Sequence, residues 1–459
     1  MHLENTSAKL KNILQVMLPI FITQITIMGM SVADTVMSGH AGAESLAGVA
    51  IAGNIWMPVF TGLNGILMAL TPIVAQFLGA GKREAISGSF WNGIYLACGL
   101  GLGIIVTGVL TLDTLLQQLQ LTPAVHTIAL QYLAGVAWGI IPFFINIILR
   151  SLVDTLGYPQ LTMKLFLLTF PVNVFFNYIF IFGKCGFPAL GGPGAGYSTS
   201  ITCWLLMLAF ILLLKKLPPL QALHLEQRQP FSLALLKEHL RLGIPSGLAI
   251  LLETSIWGIV GLCMAKFGTE TIGAHEAAIN FEGLLYMLPL SFSLALTIII
   301  GVEVGAKRYA SAVHYAKIGV GANLTLALLF VVILLAGSRY IALFYGAHGS
   351  MLILTQHFLF YAAFFQLLDA TAAPIQGILR GYKDVKFGFV ASLIAYWGLC
   401  LPLGYYLDVG RGHGPYGYWQ GLILGILISA ILQAGRLLYV QRKFSTGSPS
   451  GTSDNQPRI

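Results

Sequence analysis

The sequence predicts an all-α integral membrane protein. Its twelve transmembrane helices are expected to form two six-helix lobes, related by a pseudo-two-fold axis along the membrane normal. Scarce charge, twelve long apolar runs and an internal repeat support this prediction. Of the 459 residues, 56% are hydrophobic and only 9% are charged, whereas soluble domains carry about 25% charged residues. Helices are the expected spanning elements because lipid offers the backbone no hydrogen-bond partners.

The apolar runs locate the expected helices. Each is close to or longer than the roughly 20 residues that are needed to cross a bilayer. The predicted spans are 13–37, 46–73, 89–112, 127–149, 161–183, 194–214, 240–265, 277–302, 315–337, 352–378, 386–407 and 415–438. The first run is too long for the apolar core of a signal peptide and lacks a convincing cleavage site, so it is predicted to stay as a helix.

Lysine and arginine are divided unevenly between the two ends of these spans. Of the 25 basic residues, 21 fall in the even-numbered loops or near the termini, and four fall on the opposite side. Because cytoplasmic loops are enriched in basic residues, both termini are predicted to be cytoplasmic. The net charge of +8 is then a consequence of topology, and no nucleic-acid partner is predicted.

The second half of the chain repeats the first. The matching pairs are Pro19 with Pro245, "AESLAG" (43–48) with "TETIGA" (269–274), "GAGKREA" (79–85) with "GAKRYA" (305–310), and "ILRS" (148–151) with "ILRG" (378–381). Six spans in each half give both halves the same orientation in the membrane. Two such lobes flanking a cleft are typical of alternating-access transporters.

The repeat also divides the chain into regions. These are an N-terminal lobe at 1–214, a cytoplasmic linker at 215–239, a C-terminal lobe at 240–440 and a disordered cytoplasmic tail at 441–459. The sequence has no GxxxxGK[ST] phosphate-binding motif, so an ion gradient is the expected source of energy. No resident cofactor is predicted.

Four acidic residues lie inside the apolar runs: Asp34, Glu253, Glu282 and Asp369. A carboxylate at the bilayer centre costs roughly 2.5–3.5 kcal/mol on insertion scales, so such a group commonly faces a cavity and binds something. The repeat aligns none of the four with another acid, which leaves one acid in the first lobe and three in the second. Glu282 and Tyr286 are four residues apart and share a helix face.

Several motifs, taken in order along the chain, resemble a known family. They are "SVADTVMSGHAG" (31–42), "TPIVAQFLGAGK" (71–82), "NYIFIFGKCGFPALGGPGAGYSTS" (177–200), "LLETSIW" (251–257), "LLYMLPLS" (284–291) and "FFQLLDATAAPIQGILRGYKD" (364–384). On these motifs the chain is similar to multidrug and toxic compound extrusion (MATE) transporters of the bacterial NorM type. The resemblance covers nearly all of residues 8–440.

The resemblance implies a function and a set of site residues. MATE transporters export cationic, amphipathic drugs and dyes in exchange for Na⁺ or H⁺, which implies a multi-pass protein of the bacterial inner membrane that acts as a monomer and is not an enzyme. The implied cation-binding residues are Glu253, Tyr286 and Asp369, with Glu253 and Asp369 as the Na⁺ ligands. The implied proton- or substrate-linked residues are Asp34, Asn173 and Asn177.

Other polar groups are accessory candidates by position. They are Glu282, Glu276, Thr254 and Gln366, and Gln376 is a further plausible accessory group. Thr35 and Ser38 are expected to satisfy Asp34, and Pro374 is expected to free a backbone carbonyl near Asp369. His275 and His348 are interpreted as solvated residues of the outer mouth. Aromatic residues such as Trp56, Phe60, Tyr132, Trp138 and Phe281 are candidates for lining a cargo cavity.

Three alternative functions remain open at this point. A flippase for lipid-linked precursors would need several cationic residues along the cleft, whereas the intramembrane charges found here are acidic. An H⁺-coupled metabolite exporter would use the same scaffold and the same acids. A membrane-embedded enzyme would need a nucleophile–base pair or a metal motif such as HExxH, and neither is evident.

Overall fold

The computed structural model describes residues 6–216, 221, 223 and 225–446. Within these residues, twelve helices are long and apolar enough to cross a membrane, which confirms the predicted fold class. They are α1 Thr6–His40, α2 Ala43–Gly79, α3 Arg83–Gln118, α4 Pro123–Thr155, α5 Pro159–Phe182, α6 Gly192–Lys216, α7 Leu233–Phe267, α8 Thr269–Gly305, α9 Tyr309–Phe344, α10 Gly349–Gly381, α11 Lys386–Gly410 and α12 Pro415–Thr446.

Local sequence explains where several helices begin and end. Pro123 and Pro159 occupy the first helical positions of α4 and α5, where proline's missing N–H is not needed. The Ser232 hydroxyl accepts a hydrogen bond from the Leu235 N–H and caps α7. Gly183 adopts a left-handed conformation (φ 67°) and ends α5, a conformation that glycine reaches without steric cost.

Two helices are irregular. Helix α2 is interrupted between Leu67 and Leu70. Helix α11 contains two π-helical segments, Leu393–Cys400 and Tyr406–Gly410. Pro402 lies between these segments, and the N–H that it lacks removes one helical hydrogen bond. Widened turns of this kind are frequent at functional sites.

Helices α1–α6 and α7–α12 form the two lobes, and each lobe packs around its own apolar core. Phe144 and Phe210 are buried in the first core, as Phe358 and Trp419 are in the second. Between the lobes, α1 packs on α8 and α2 packs on α7. The sequence repeat equates α1 with α7 and α2 with α8, so a two-fold rotation exchanges these two contacts, as an isologous interface requires.

The start of α1 and the end of α12 lie on one face of the protein, which we call the terminal face. Hydrogen bonds join the lobes there: Lys9 Nζ donates to Ser311 Oγ over 2.8 Å, Asn12 Nδ2 donates to the Tyr315 hydroxyl over 2.9 Å, and Gln76 Nε2 donates to the Gly381 carbonyl over 2.9 Å. The structure is therefore closed between the lobes at this face.

Two predicted boundaries shift in the structure. The linker predicted at 215–239 is shorter, because α7 begins at Leu233 and includes the charged residues that precede the apolar run. Residues 441–446 of the predicted tail belong to α12, because this helix continues to Thr446. The remainder of the predicted tail, 447–459, lies outside the described residues.

Candidate functional site

A cavity of about 570 Å³ lies between the lobes. Its walls come from α1, α2 and α4 of the first lobe and from α7, α8, α10 and α11 of the second. The first three wall helices of each lobe correspond in the sequence repeat, so the cavity lies close to the pseudo-two-fold axis. This is the position at which repeat-built transporters bind their substrates.

Three of the four intramembrane acids face this cavity together. Glu253 comes from α7, Glu282 from α8 and Asp369 from α10, and Tyr286 lies one turn after Glu282. The structure therefore brings together the whole implied cation-binding set. It also places Glu282 in the same cavity, as its spacing from Tyr286 predicts.

The Glu253 carboxylate is held by two hydrogen-bond donors. Its Oε1 accepts from Gln376 Nε2 over 2.9 Å and from Ser392 Oγ over 2.8 Å. Gln376 belongs to α10 and Ser392 to α11, so three helices of the second lobe meet at this carboxylate. Ser392 was not found from the sequence, because a single serine in an apolar helix carries no distinctive signal.

Two other carboxylates retain unpartnered oxygens. Glu282 Oε1 and Asp369 Oδ2 are buried and have no hydrogen-bond partner among the described residues. Glu282 is 6% exposed and Asp369 is 8% exposed. Buried polar atoms are normally paired, and hard cations bind carboxylate, carbonyl and hydroxyl oxygens. The cavity therefore has acceptor atoms available for a cationic ligand.

The accessory candidates separate into different environments. Thr254 faces the cavity, although its hydroxyl donates to the Ile250 carbonyl over 2.9 Å. Gln366 is fully buried outside the cavity lining, where its Nε2 donates to the Leu285 carbonyl and its Oε1 is unpartnered in the described structure. Glu276 is exposed and is not part of the cavity wall.

Asp34 belongs to a second polar cluster, within the first lobe. Its Oδ1 accepts from Asn177 Nδ2 over 2.6 Å, and its Oδ2 accepts from Thr199 Oγ1 over 2.9 Å. Asn177 Nδ2 is also 3.3 Å from Asn173 Oδ1. The three residues implied by the resemblance therefore lie together, joining α1 and α5, and Thr199 of α6 is an additional member.

The predicted partners of Asp34 were wrong. The Thr35 hydroxyl donates to the Ser31 carbonyl on its own helix, and the buried Ser38 hydroxyl has no partner among the described residues. Both residues are sequence neighbours of Asp34 but point elsewhere on α1. The actual donors, from α5 and α6, are more than 140 positions away and depend on helix packing.

The cavity also contains arginine, although the sequence predicts these basic residues to lie in loops. Arg150 of α4 and Arg380 of α10 both line it, together with Asp154. Arg150 Nε lies 3.4 Å from Asp154 Oδ2. The expectation that the intramembrane charges are exclusively acidic is therefore wrong. The similar segments "ILRS" and "ILRG" could have indicated these arginines, because in both segments the apolar run ends at an arginine.

Two predictions for ring-bearing side chains are corrected. His275 is fully buried in α8, 5.7 Å from the Trp419 ring, and is not a solvated residue. The aromatic candidates Trp56, Phe60, Tyr132, Trp138 and Phe281 do not line the cavity; Trp257, Tyr286, Phe365 and Tyr396 line it instead. The Trp257 and Phe365 rings meet edge to face with their centroids 4.9 Å apart.

No three acidic, histidine or cysteine side chains of the described residues are grouped so that they could hold a metal ion together. The arrangement around Glu253 and Asp369 instead mixes carboxylates with amide and hydroxyl groups from α7, α8, α10 and α11. A monovalent cation or a proton needs fewer charged ligands than a chelated metal ion does. Carboxylate, carbonyl and hydroxyl oxygens are ligand types that hard cations take.

Comparison with known families identifies the scaffold. The MatE family model matches the chain twice, over residues 19–179 and 245–406, and the two matches begin at Pro19 and Pro245. The chain belongs to the MatE family. The paired match also corresponds to the two lobes of the structure and to the repeat found in the sequence.

Relatives of this MatE-family chain extend over nearly its whole length. It is 46% identical over 453 residues to the Probable multidrug resistance protein NorM of Halalkalibacterium halodurans, covering 98% of this chain and 99% of that protein. It is 44% identical over 443 residues to the protein of the same name from Bacillus subtilis, covering 96% and 98%. The predicted family and NorM type are therefore confirmed.

Solved structures share the fold. A eukaryotic MATE transporter, AtDTX14, superposes with a TM-score of 0.85 at 17% identity, covering 96% of this chain and 99% of that one. A MATE structure described as being in the bent conformation gives a TM-score of 0.86 at 18% identity, covering 97% and 100%. At such low identity these similarities establish the twelve-helix MATE fold of a multi-pass membrane protein.

Proposed function

We propose that this protein is a multidrug exporter that couples the outward movement of cationic, amphipathic drugs and dyes to the inward movement of Na⁺ or H⁺. The names of its relatives support multidrug transport. The observation that carries the proposal is the inter-lobe cavity, in which Glu253, Glu282 and Asp369 face one space together with an aromatic wall. Carboxylates and aromatic ring faces both attract organic cations.

The same acids account for competition between ion and cargo. A cation at Glu253, Tyr286 and Asp369 neutralises the charge that attracts a cationic cargo, so the two ligands disfavour each other. An inward-moving positive charge gains about 2.3 kcal/mol per 100 mV of membrane potential, and this energy drives export. We favour Na⁺, because the oxygens of Asp369 and Glu282 without donors are the ligand type that a hard cation takes.

The proposal assigns the terminal face to the cytoplasm of a bacterial cell. The excess of lysine and arginine on that side supports this orientation. The closed seam at this face then corresponds to a state that receives ions from outside. In this proposal the protein is a monomer surrounded by lipid, and it acts as a transporter with no catalytic step and no resident cofactor.

Efflux from proteoliposomes tests the coupling. The protein is reconstituted with a cationic dye, and Na⁺ and pH gradients are imposed separately. Wild-type protein is expected to export dye when one of these gradients is present. Glu253→Gln and Asp369→Asn each remove a charge from the cavity with little change in shape, and each is expected to reduce gradient-driven export at least tenfold.

Glu84→Gln provides the matched control, because Glu84 is exposed in the first turn of α3, away from the cavity. It is expected to transport at the wild-type rate. Wild-type coupling in both cavity variants would rule out the proposed cation site. Dye transport that ignores both gradients in the wild-type protein would rule out antiport itself.

A further inference from the structure

The two cavity arginines end similar sequence segments, "ILRS" and "ILRG", but have different partners. In the first lobe, Arg150 lies beside Asp154 four residues later, with Nε 3.4 Å from Oδ2, and its Nη2 donates to Gln24 Oε1 over 2.9 Å. An arginine and an aspartate at this spacing share a helix face. The positive charge of Arg150 is therefore balanced locally.

In the second lobe an aspartate also lies four residues after the arginine, but it is beyond the end of α10 at Gly381. Asp384 follows Arg380 by four residues, yet its Oδ2 accepts from Arg436 Nε of α12 over 2.6 Å. Arg380 Nη2 donates to the neutral Ser293 hydroxyl over 2.7 Å, and its Nε is buried with no partner among the described residues. Within those residues, no carboxylate lies within 4.0 Å of Arg380.

The Arg380 charge, with no carboxylate at ion-pair distance among the described residues, lies beside the cation site. Gln376, which donates to Glu253, precedes Arg380 by one turn of α10, and both side chains face the cavity. Arg380 is on the terminal-face side of Gln376, because α10 ends at Gly381 on that face. A cation at Glu253 and Asp369 thus meets a fixed positive charge between itself and the terminal face.

We propose that Arg380 is the positioning residue that sets the cation affinity of the Glu253–Asp369 site. This assignment rests on the proposed function. The positive charge of Arg380 repels a cation bound at the site and so keeps the cation affinity low enough for release. At an effective dielectric constant of about 20, two like charges roughly 12 Å apart already change an affinity about tenfold, and closer charges change it more. The first lobe lacks this effect because Asp154 neutralises Arg150.

Cation binding to the purified full-length protein tests the assignment, with radioactive Na⁺ as the probe and competition by protons measured in parallel. Arg380→Gln removes the charge and is expected to tighten Na⁺ binding at least about tenfold. Arg380→Lys keeps the charge and is expected to remain within about twofold of wild type. In proteoliposomes, Arg380→Gln should lower both the apparent KM for Na⁺ and the maximal rate, because ion release becomes slower.

Arg436→Gln supplies a second variant in which Arg380 itself is intact. It frees Asp384, which lines a small pocket together with Arg380, to pair with that arginine, and it is also expected to tighten Na⁺ binding. Arg83→Gln, an exposed change at the start of α3, is the control for altered net charge.

Three results would overturn the assignment: unchanged or weaker Na⁺ binding in Arg380→Gln, equal effects of the Gln and Lys substitutions, or, where Arg380→Gln does not fold, unchanged binding in Arg436→Gln. Failure of the proposed function has a different signature. In that case the wild-type protein itself shows neither saturable cation binding nor gradient-driven efflux.

Discussion

Asp34 depends on two donors that come from different helices of its lobe. Asn177 of α5 and Thr199 of α6 each donate to one carboxylate oxygen. Leaving a carboxylate oxygen without its donor costs more than losing a hydrogen bond between neutral groups. The cluster therefore joins α1, α5 and α6 through one acidic side chain.

Thr199→Val is expected to lower the free energy of unfolding by about 1–2 kcal/mol, because it removes one donor from Asp34 while keeping the β-branched shape. Equilibrium unfolding in mixed micelles measures this change. In an Asp34→Ala background, the same substitution is expected to cost clearly less. Equal costs in the two backgrounds would mean that the Thr199 hydroxyl does not act through Asp34.

Thr107→Val is the matched control for that cycle. The Thr107 hydroxyl donates to the Gly103 carbonyl of its own helix and is exposed. Its removal is expected to be nearly neutral in both backgrounds, because surface substitutions of this kind usually change stability by less than about 0.5 kcal/mol.

Residue-level prediction from the sequence was good for charges and poor for their partners. Asp34, Glu253 and Asp369 were found because a carboxylate in an apolar run is costly and therefore conspicuous. Thr199 and Ser392 were missed because a hydroxyl in a helix can satisfy itself on its own backbone. Their role depends on which neighbouring helix they face, and a single sequence does not contain that distance.

At the scale of the element, α10 shows how a helix defect is compensated. Pro374 has no N–H to donate to the carbonyl of Ala370, four residues earlier. The Asn323 Nδ2 of α9 donates to that carbonyl over 2.6 Å, and Asn323 is fully buried. The sequence predicted the freed carbonyl near Asp369 but not its donor, since the donor belongs to another helix.

Asn323→Leu is expected to destabilise the protein by about 1–3 kcal/mol, because the Ala370 carbonyl is left buried without a donor. Pro374→Ala supplies an N–H at residue 374 and restores the helical hydrogen bond. The cost of Asn323→Leu should therefore fall in the Pro374→Ala background, again measured by unfolding in mixed micelles. A cost that is unchanged by Pro374→Ala would contradict this compensation.

Asn280→Leu tests whether any asparagine removal would do the same. The Asn280 Nδ2 donates to the Glu276 carbonyl within α8 at an exposed position. That carbonyl can bond to other groups or to solvent when the side chain is lost. Its substitution is expected to cost less than Asn323→Leu and to be insensitive to Pro374→Ala.

At the scale of the whole molecule, the apolar runs predicted all twelve helices but underestimated their length. Hydropathy ends a span where polar residues begin, whereas the helix continues as long as its backbone bonds are favourable. Helix α7 begins seven residues before its predicted span, and Lys237 and Glu238 lie in this added part. The part of a helix that crosses the lipid and the whole helix have different lengths. Apolar composition sets only the length of the part that crosses the lipid.

The repeat predicted more than the topology, because it also locates the seam between the lobes. Gly79 and Gly305 occupy equivalent positions, and they meet on the terminal face in equivalent ways. A methyl group on Gly79 would overlap the Val302 carbonyl, and one on Gly305 would overlap the Gln76 carbonyl. The two contacts exchange under the two-fold rotation, so the seam is closed symmetrically by backbone against backbone.

Gly79→Ala and Gly305→Ala are therefore expected to disfavour closure at the terminal face, because a backbone carbonyl cannot yield as a flexible side chain does. Spin labels at Lys82 and Lys307, which are exposed and follow the two glycines by two or three residues, report the separation of the lobes in a cysteine-free background. Each alanine variant should shift the distance distribution to longer values and slow dye efflux. In the controls Gly99→Ala and Gly321→Ala, the added methyl group meets nothing within 4 Å, so the distance distribution and the efflux rate should stay unchanged. A wild-type distance distribution in Gly79→Ala and Gly305→Ala would show that these two glycines do not control closure.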